Sequence, residues 1–228
     1  MKEKYLNMQK TSYDQEAEAW TVHNRNPVVG TYDAHNNWDD YNNFLFKNFD
    51  TNGLLALEYG CGPGRNIIKF SNRFRQIDGL DISSECIVKA KINLNEHNIS
   101  NSRLMVNNGD NIPTEDAVYD VVFSVICLQH ICSRQIRLDI FKEVLRVLKP
   151  GGKFCFQMGL GGKSNSVGYY DNDFDATVTN GSRDVSIEDE EYLRKDLLEI
   201  GFKDYLSDVR QTGPGDSHKS WLWVQVAK

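Results

Sequence analysis

The stretch LLALEYGCGPG, residues Leu54–Gly64, decides the fold of this chain. It opens with four apolar residues and no polar alternation, which is typical of a central strand covered on both faces. The glycines that follow have the spacing GxGxG, which lets the chain turn sharply and brings a ligand against bare backbone. Beyond them, apolar residues at i, i+3 and i+7 predict a helix that begins at the glycines: Ile67, Phe70 and Phe74.

A glycine turn between a strand and a helix indicates a site for a nucleoside cofactor. The helix N-terminus supplies free N–H groups and a partial positive charge at the turn. A dinucleotide would favour the spacing G-x-G-x-x-G, but the residue three after Gly62 is Arg65. A nicotinamide-dependent oxidoreductase is therefore the weaker alternative.

Outward from this stretch, short apolar runs alternate with amphipathic runs and predict parallel strands joined by crossover helices. Ser83 or Ser84 is predicted to cap one of these helices, and Ser133 another. The fold class is therefore α/β, with a doubly wound sheet. The predicted strands after the first are Gln76–Ile82, Arg103–Asn108, Tyr119–Ile126 and Lys153–Leu160.

The carboxyl-terminal third departs from this pattern. Residues 159–185 are rich in Gly, Asn and Asp and predict a loop or small insertion after strand five. Ser186 and Asp189 form an S-x-x-D capping box, which predicts a helix that Gly201 ends. Two β-like runs then predict a closing antiparallel hairpin: Tyr205–Val209 and Trp221–Ala227.

Composition narrows the function classes. The 228 residues are 40% hydrophobic and 25% charged, as in an ordinary globular protein, and residues 1–228 are expected to form a single domain. A formal charge of -6 disfavours nucleic acid and anionic membrane as partners. No apolar run approaches the roughly 20 residues of a membrane helix. The N-terminus MKEKYLNMQK lacks the apolar core of a secretory signal, so a cytoplasmic location is expected.

The cysteines predict neither disulfides nor a metal site. Their number is odd, and their positions show neither CxxC pairs nor Cys/His metal spacing. We expect them to be reduced residues of the core, and no metal is implied. They are Cys61, Cys86, Cys127, Cys132 and Cys155.

Residues 50–160 resemble the class I S-adenosylmethionine (SAM)-dependent methyltransferases of the small-molecule type. Glu58 stands two residues before Gly60, as the acid of that family's first motif does, and Asp81 ends the second strand. Further motifs of the family are matched by Asp110-Asn111 in NNGDNIP, by Tyr119–Val122 followed by Ser124-Val125, and by RVLKPGG at Arg146–Gly152. The resemblance implies SAM as cofactor, S-adenosylhomocysteine as product, and a mostly parallel seven-stranded sheet with a helical N-terminal cover.

The resemblance also implies roles for the residues around the glycine turn. Gly60 and Gly62 are expected to lie against the methionyl part of the cofactor, with Glu58 organising the loop. Asp81 is expected to accept hydrogen bonds from two ribose hydroxyls. Ile82 is expected to pack on one face of the adenine.

Other roles lie farther along the chain. Asp110, with Asn111, is expected to take the exocyclic amine of the adenine, and Val125 to touch the methionine moiety. The N-terminal segment 1–50 is expected to form a helical lid, with Tyr13 and Trp20 closing over the cofactor and Arg25 meeting its carboxylate. Each aromatic residue of this lid has a plain alternative as part of an ordinary helix-packing stripe.

Methyl transfer is an in-line displacement, which requires positioning first and a general base only as an addition. His130, in LQHI just after strand four, is the first candidate for a base because α/β folds place ligands at this edge of the sheet. His218, in GDSHKSW, is the second. For His130 the alternative is a packing or substrate-shaping role.

The acceptor is expected to be a small polar molecule, with a hydroxyl favoured over an amine. Ser124–Cys127 replaces the NPPY-type tetrapeptide of enzymes that methylate nucleobase amines, and no Pro-Cys nucleophile is present. Aromatic residues in segments 23–49 and 159–184 suit a polar acceptor pocket. An N-methyltransferase of a small amine and a non-catalytic cofactor-binding module are the alternatives, and a homo-oligomer is left open.

Overall fold

The computed structural model describes residues 2–19, 41–162, 168–169 and 185–228. Within these residues the α-helices are α1 (Lys2–Ala19), α2 (Arg65–Phe70), α3 (Ser84–Glu96), α4 (Arg134–Val147) and α5 (Glu190–Ile200). The strands are β1 (Leu55–Tyr59), β2 (Gln76–Asp81), β3 (Leu104–Val106), β4 (Tyr119–Ser124), β5 (Leu148–Gly162), β6 (Gly168–Tyr169), β7 (Val185–Ile187), β8 (Lys203–Gln211) and β9 (His218–Ala227). A π-helical turn at Tyr41–Leu45 and a 3₁₀ turn at Leu128–His130 complete them.

Seven of the strands form a doubly wound sheet in the order β3-β2-β1-β4-β5-β9-β8. The strands from β3 to β5 are parallel, whereas β9 runs antiparallel to both β5 and β8. The prediction of a mostly parallel seven-stranded α/β sheet with a closing hairpin is therefore confirmed. Two short strands extend it, because β7 pairs with Gly159 and Leu160 of β5, and β6 pairs with β7.

The core lies in two layers, one on each face of the sheet. Val122 of β4 packs in the layer that contains Ile140 of α4. The next residue, Phe123, packs in the layer that contains Ile67 of α2. Successive side chains of a strand point to opposite faces, so a strand buried on both sides carries the unbroken apolar run seen in the sequence.

Local signals account for where the helices begin. Ser83 accepts a hydrogen bond from the backbone N–H of Cys86 at the start of α3, and Ser133 caps α4 in the same way, as predicted. The capping box predicted for α5 is wrong in one member, because Ser186 lies in β7. Asp189 alone is the N-cap of α5, and Gly201 ends that helix with a φ of +117°.

The strand that precedes the insertion is longer than expected. β5 runs from Leu148 to Gly162, where Gly162 pairs with His218 of β9.

All five cysteines are free, and Cys127 is the one that is only half-buried. Within the described part of the chain, no helix combines the length and the apolar character that crossing a membrane requires.

Candidate active site

A cleft lies at the carboxyl ends of β1, β2 and β4, beneath α1. This edge of a parallel sheet is where open α/β folds bind ligands. Eight of the residues predicted for the site line the cleft: Tyr13, Glu58, Gly60, Gly62, Asp81, Ile82, Val125 and His130.

The glycine loop forms the floor of the cleft. The N–H groups of Gly60 and Cys61 both donate to the carbonyl of Leu80, at 2.8 and 3.0 Å, which fixes the loop against β2. Gly60 has a φ of +76°, and a Cβ built on it would lie 2.3 Å from Cys127 Sγ. A side chain is therefore excluded here both by backbone conformation and by space.

Asp81 lies at the end of β2. It accepts hydrogen bonds from the glycine loop and can accept further ones from a ligand. Its Oδ2 accepts from Gly62 N at 2.8 Å, and its Oδ1 accepts from Ser83 N at 2.9 Å. Burial raises the pKa of this carboxyl to about 6, against the lowering effect of the two amides. A carboxylate offers about four lone-pair sites, so acceptor sites remain for a pair of hydroxyls.

Glu58 is buried at the end of β1 and lines the cleft. Its Oε1 accepts from Asn66 Nδ2 at 2.5 Å, and Oε2 has no hydrogen-bond partner among the described residues. Burial raises the pKa of the Glu58 carboxyl to about 8, so its neutral form is favoured at pH 7. A cationic ligand in the cleft would favour the ionised form.

Helix α1 roofs the cleft. Gln9 and Tyr13 both line it, and the Tyr13 ring meets the His130 imidazole edge-on with 6.5 Å between centroids. Asp14 Oδ1 accepts from Ser83 Oγ at 2.6 Å, which joins the helix to the turn after Asp81. Trp20 and Arg25, the other residues predicted for the lid, lie outside the described residues.

The structure does not bring Asp110 and Asn111 into the cleft. Asp110 Oδ2 forms an ion pair with Lys2 Nζ of α1 at 2.5 Å. The Asn111 carbonyl accepts from Asn107 Nδ2 at 2.9 Å, which closes the turn after β3. Asn107 and Gly109 of the same turn line the cleft instead.

His218 lies outside the cleft that His130 lines. It belongs to β9 and is fully buried, with Nδ1 2.5 Å from Ser186 Oγ and its ring against the edge of Trp221. A Cβ on Gly159 would overlap the His218 ring, so the glycine makes room for it. His218 joins β7 to β9 at the carboxyl end of β5 and does not line the cleft.

The aromatic residues predicted for an acceptor pocket are placed only in part. Tyr41 and Phe44 pack against Trp223, with centroids 5.9 and 5.8 Å away, and so belong to the core layer on that face. The side chains of the others lie outside the described residues: Tyr32, Trp38, Tyr169, Tyr170 and Phe174.

Several cleft residues were not predicted. Ile126, just after β4, has a φ of +50°, which is rare and strained for a β-branched residue. Its side chain and that of Cys127 line the cleft. Asn66 and Gln9 are two further examples. The only sequence signal for Asn66 is its place in the first turn after the glycines.

Comparisons with known proteins agree with this geometry. Residues 56–152 match a family model described as "Methyltransferase domain". Phosphoethanolamine N-methyltransferase 2 of Caenorhabditis elegans is 30% identical over 122 residues, which are 52% of this chain and 27% of that protein. Fatty-acid O-methyltransferase of Mycolicibacterium smegmatis is 33% identical over 110 residues, 47% of this chain and 38% of that protein.

A solved structure resembles nearly the whole chain. Phosphoethanolamine N-methyltransferase 2 of Haemonchus contortus, in complex with SAM, matches with a TM-score of 0.68 and 19% identity, over 94% of this chain and 57% of that one. Residues 56–152 carry a methyltransferase domain, and the fold of the chain is that of a solved SAM-dependent methyltransferase. The chain spans only part of the length of the curated relatives given above.

Proposed function

We propose that this protein transfers a methyl group from SAM to a hydroxyl of a small polar acceptor, with His130 as general base. One observation carries the proposal. His130 lies with Tyr13 in the same cleft as the glycine loop and Asp81. This shared location supports a role for His130 as the base of an acceptor bound beside the cofactor.

The residues present fit the cofactor. The bare backbone of Gly60 and Gly62 permits close approach of the methionyl part, Asp81 keeps acceptor sites for the ribose hydroxyls, and Ile82 offers an apolar surface to the adenine. Glu58 presents a carboxyl oxygen without a hydrogen-bond partner among the described residues, which suits a cationic ligand. SAM supplies, when bound, a methyl group made electrophilic by the sulfonium.

The chain's own contribution is orientation, exclusion of water and movement of one proton. Orientation of two reactants can supply roughly 7–11 kcal/mol of a barrier. Val125 and Ile131 present apolar side chains to the cleft, which limits water near the reacting oxygen. His130 removes the hydroxyl proton as the carbon–oxygen bond forms, a contribution of about 10²- to 10⁴-fold.

N-methylation of a small amine is the second candidate. It is favoured by the similarity to phosphoethanolamine N-methyltransferases in both sequence and fold. In that reaction His130 would accept a proton from an ammonium before the nitrogen attacks. The acceptor classes therefore differ in the attacking atom and share the role of His130.

The test begins with calorimetric titration of the purified chain with S-adenosylhomocysteine and, in parallel, with NAD. Saturable binding of S-adenosylhomocysteine alone is expected, and binding of NAD alone would overturn the proposal. SAM carrying a labelled methyl group is then incubated with matched acceptor pairs that differ only in a hydroxyl or an amine. Label in the hydroxyl members supports O-methylation, and label in the amines alone supports the second candidate.

A variant of the base separates binding from chemistry. His130→Gln is expected to bind S-adenosylhomocysteine as the wild type does and to lose turnover by about 10²-fold or more. Unchanged turnover on an identified acceptor would remove His130 from the mechanism. His97→Gln is the matched control, because His97 lies exposed at the end of α3.

A further inference from the structure

We propose that Gln9 and Tyr5 of α1 are positioning residues that set His130 in place, so that α1 assembles the acceptor side of the cleft as well as covering the cofactor side. The proposal rests on the role of His130 given above. Gln9 and Tyr5 would thus affect turnover through their effect on the position of His130.

The first support is the set of contacts on the turn that carries His130. Gln9 Nε2 donates to the His130 carbonyl at 2.8 Å, and the next residue but one, Cys132, donates its backbone N–H to Tyr5 Oη at 2.7 Å. Between them, the Ile131 carbonyl accepts from the guanidinium of Arg137. Two successive peptide groups, His130–Ile131 and Ile131–Cys132, are therefore held by three side chains, two of which come from α1.

The second support is that the turn has few internal hydrogen bonds. Leu128–His130 is a single 3₁₀ turn whose internal bonds join His130 N to the Cys127 carbonyl at 2.9 Å and Ile131 N to the Leu128 carbonyl at 3.1 Å. Such turns are short and have poorer hydrogen-bond geometry than an α-helix. The orientation of the His130 side chain then depends on the neighbours that bind its backbone.

The third support is the face of α1 that the contacts use. Tyr5, Gln9 and Tyr13 fall at i, i+4 and i+8, which is one side of a helix. Tyr5 and Gln9 are 1% and 4% exposed, although both carry polar groups. Their polar atoms are directed at the turn, and Tyr13 adds its ring against the imidazole.

Other residues tie the same helix to the cofactor side. Lys2 Nζ pairs with Asp110 at 2.5 Å in the turn after β3, and Asp14 binds Ser83 after β2. The helix therefore contacts both halves of the cleft, but through different side chains on each half. Removal of the Gln9 or Tyr5 contact should therefore displace His130 while leaving the cofactor contacts intact.

The test uses Gln9→Glu, which presents a carboxylate to the His130 carbonyl in place of a donor, and Tyr5→Phe, which removes only the hydroxyl. Gln15→Ala is the control, a change of the same residue type at an exposed position of α1. We expect kcat to fall by about 10²-fold in the first two, as for a misplaced catalytic group. We expect KM for SAM and Kd for S-adenosylhomocysteine to stay within twofold, and the control to match the wild type.

Two readouts separate positioning from a merely structural role. In a His130→Gln background, Gln9→Glu should have no further effect on turnover, because both changes remove one function. In protein labelled with ¹⁵N-histidine, the imidazole signal that disappears in His130→Gln should shift in Gln9→Glu and Tyr5→Phe and stay in place in Gln15→Ala. This second readout needs no acceptor.

The outcomes are distinguishable. An unmoved imidazole signal in Gln9→Glu, additive losses of turnover, or a loss confined to cofactor affinity would each overturn the positioning role. Unchanged turnover in His130→Gln would instead overturn the proposed function, even if the signal moves. If Tyr5→Phe does not fold, Gln9→Glu alone tests the positioning role. Glu has the same side-chain length as Gln, and position 9 lines the cleft.

Discussion

Replacement of Glu58 by Gln should change how the stability of the cofactor-free protein depends on pH. The pKa of this buried carboxyl is raised from 4.5 to about 8 by burial, so the folded protein holds a proton that the unfolded chain releases. Stability from this group is complete below pH 4.5 and is lost as the pH rises towards 8. At about 1.4 kcal/mol per pKa unit, the loss has an upper bound of roughly 5 kcal/mol.

Glu58→Gln mimics the protonated form and keeps the oxygen that accepts from Asn66. Urea unfolding at pH 5, 7 and 9 should therefore show a wild type that weakens by a few kcal/mol relative to the variant between pH 5 and pH 9. Glu96→Gln, at an exposed position of α3, is the control and should follow the wild type. Parallel curves for wild type and Glu58→Gln would refute the reasoning, because burial would then not have raised this pKa.

Three further changes test the cleft and the core. Asp81→Asn removes one charged acceptor beside Gly62 and should weaken S-adenosylhomocysteine binding by about 1.5–3 kcal/mol in calorimetry; an unchanged Kd would exclude Asp81 as a ligand. Gly60→Ala should lower the thermal midpoint, and adding Cys127→Ala should recover only the part due to overlap with Sγ, because the overlap with Cys127 Cβ at 2.7 Å and the positive φ both remain. Phe141→Ala, in the core against Phe154 and Phe156, should cost about 3–5 kcal/mol in urea unfolding, and a loss below 1 kcal/mol would contradict the packing.

The parts of the site that sequence could predict are those whose causes are local. The strand, the glycines and the following helix are contiguous, so their spacing alone places Gly60, Gly62 and Glu58 together. Asp81 follows from the same argument, because parallel strands end at one edge of the sheet. Each of these residues lines the cleft.

The parts that could not be predicted depend on contacts between distant segments. Asp110 forms an ion pair with Lys2, which stands 108 positions earlier in the chain, and no local sequence pattern predicts this pair. Gln9 reaches the carbonyl of His130 across a separation of 121 residues. His218 precedes the predicted last strand, Trp221–Ala227, but it lies within β9, where the room left by Gly159 accommodates its ring and Nδ1 lies 2.5 Å from Ser186 Oγ.

The positive φ of Ile126 lowers the stability of the fold at a position that lines the cleft. A β-branched residue at a φ of +50° costs the fold on the order of 1–3 kcal/mol, yet this residue lines the cleft. A library selected for heat resistance alone should enrich Gly or Asn at this position, since either tolerates the conformation. Engineers who seek a more robust catalyst should therefore hold position 126 fixed and look for added stability elsewhere, for example on the exposed faces of α3 and α5.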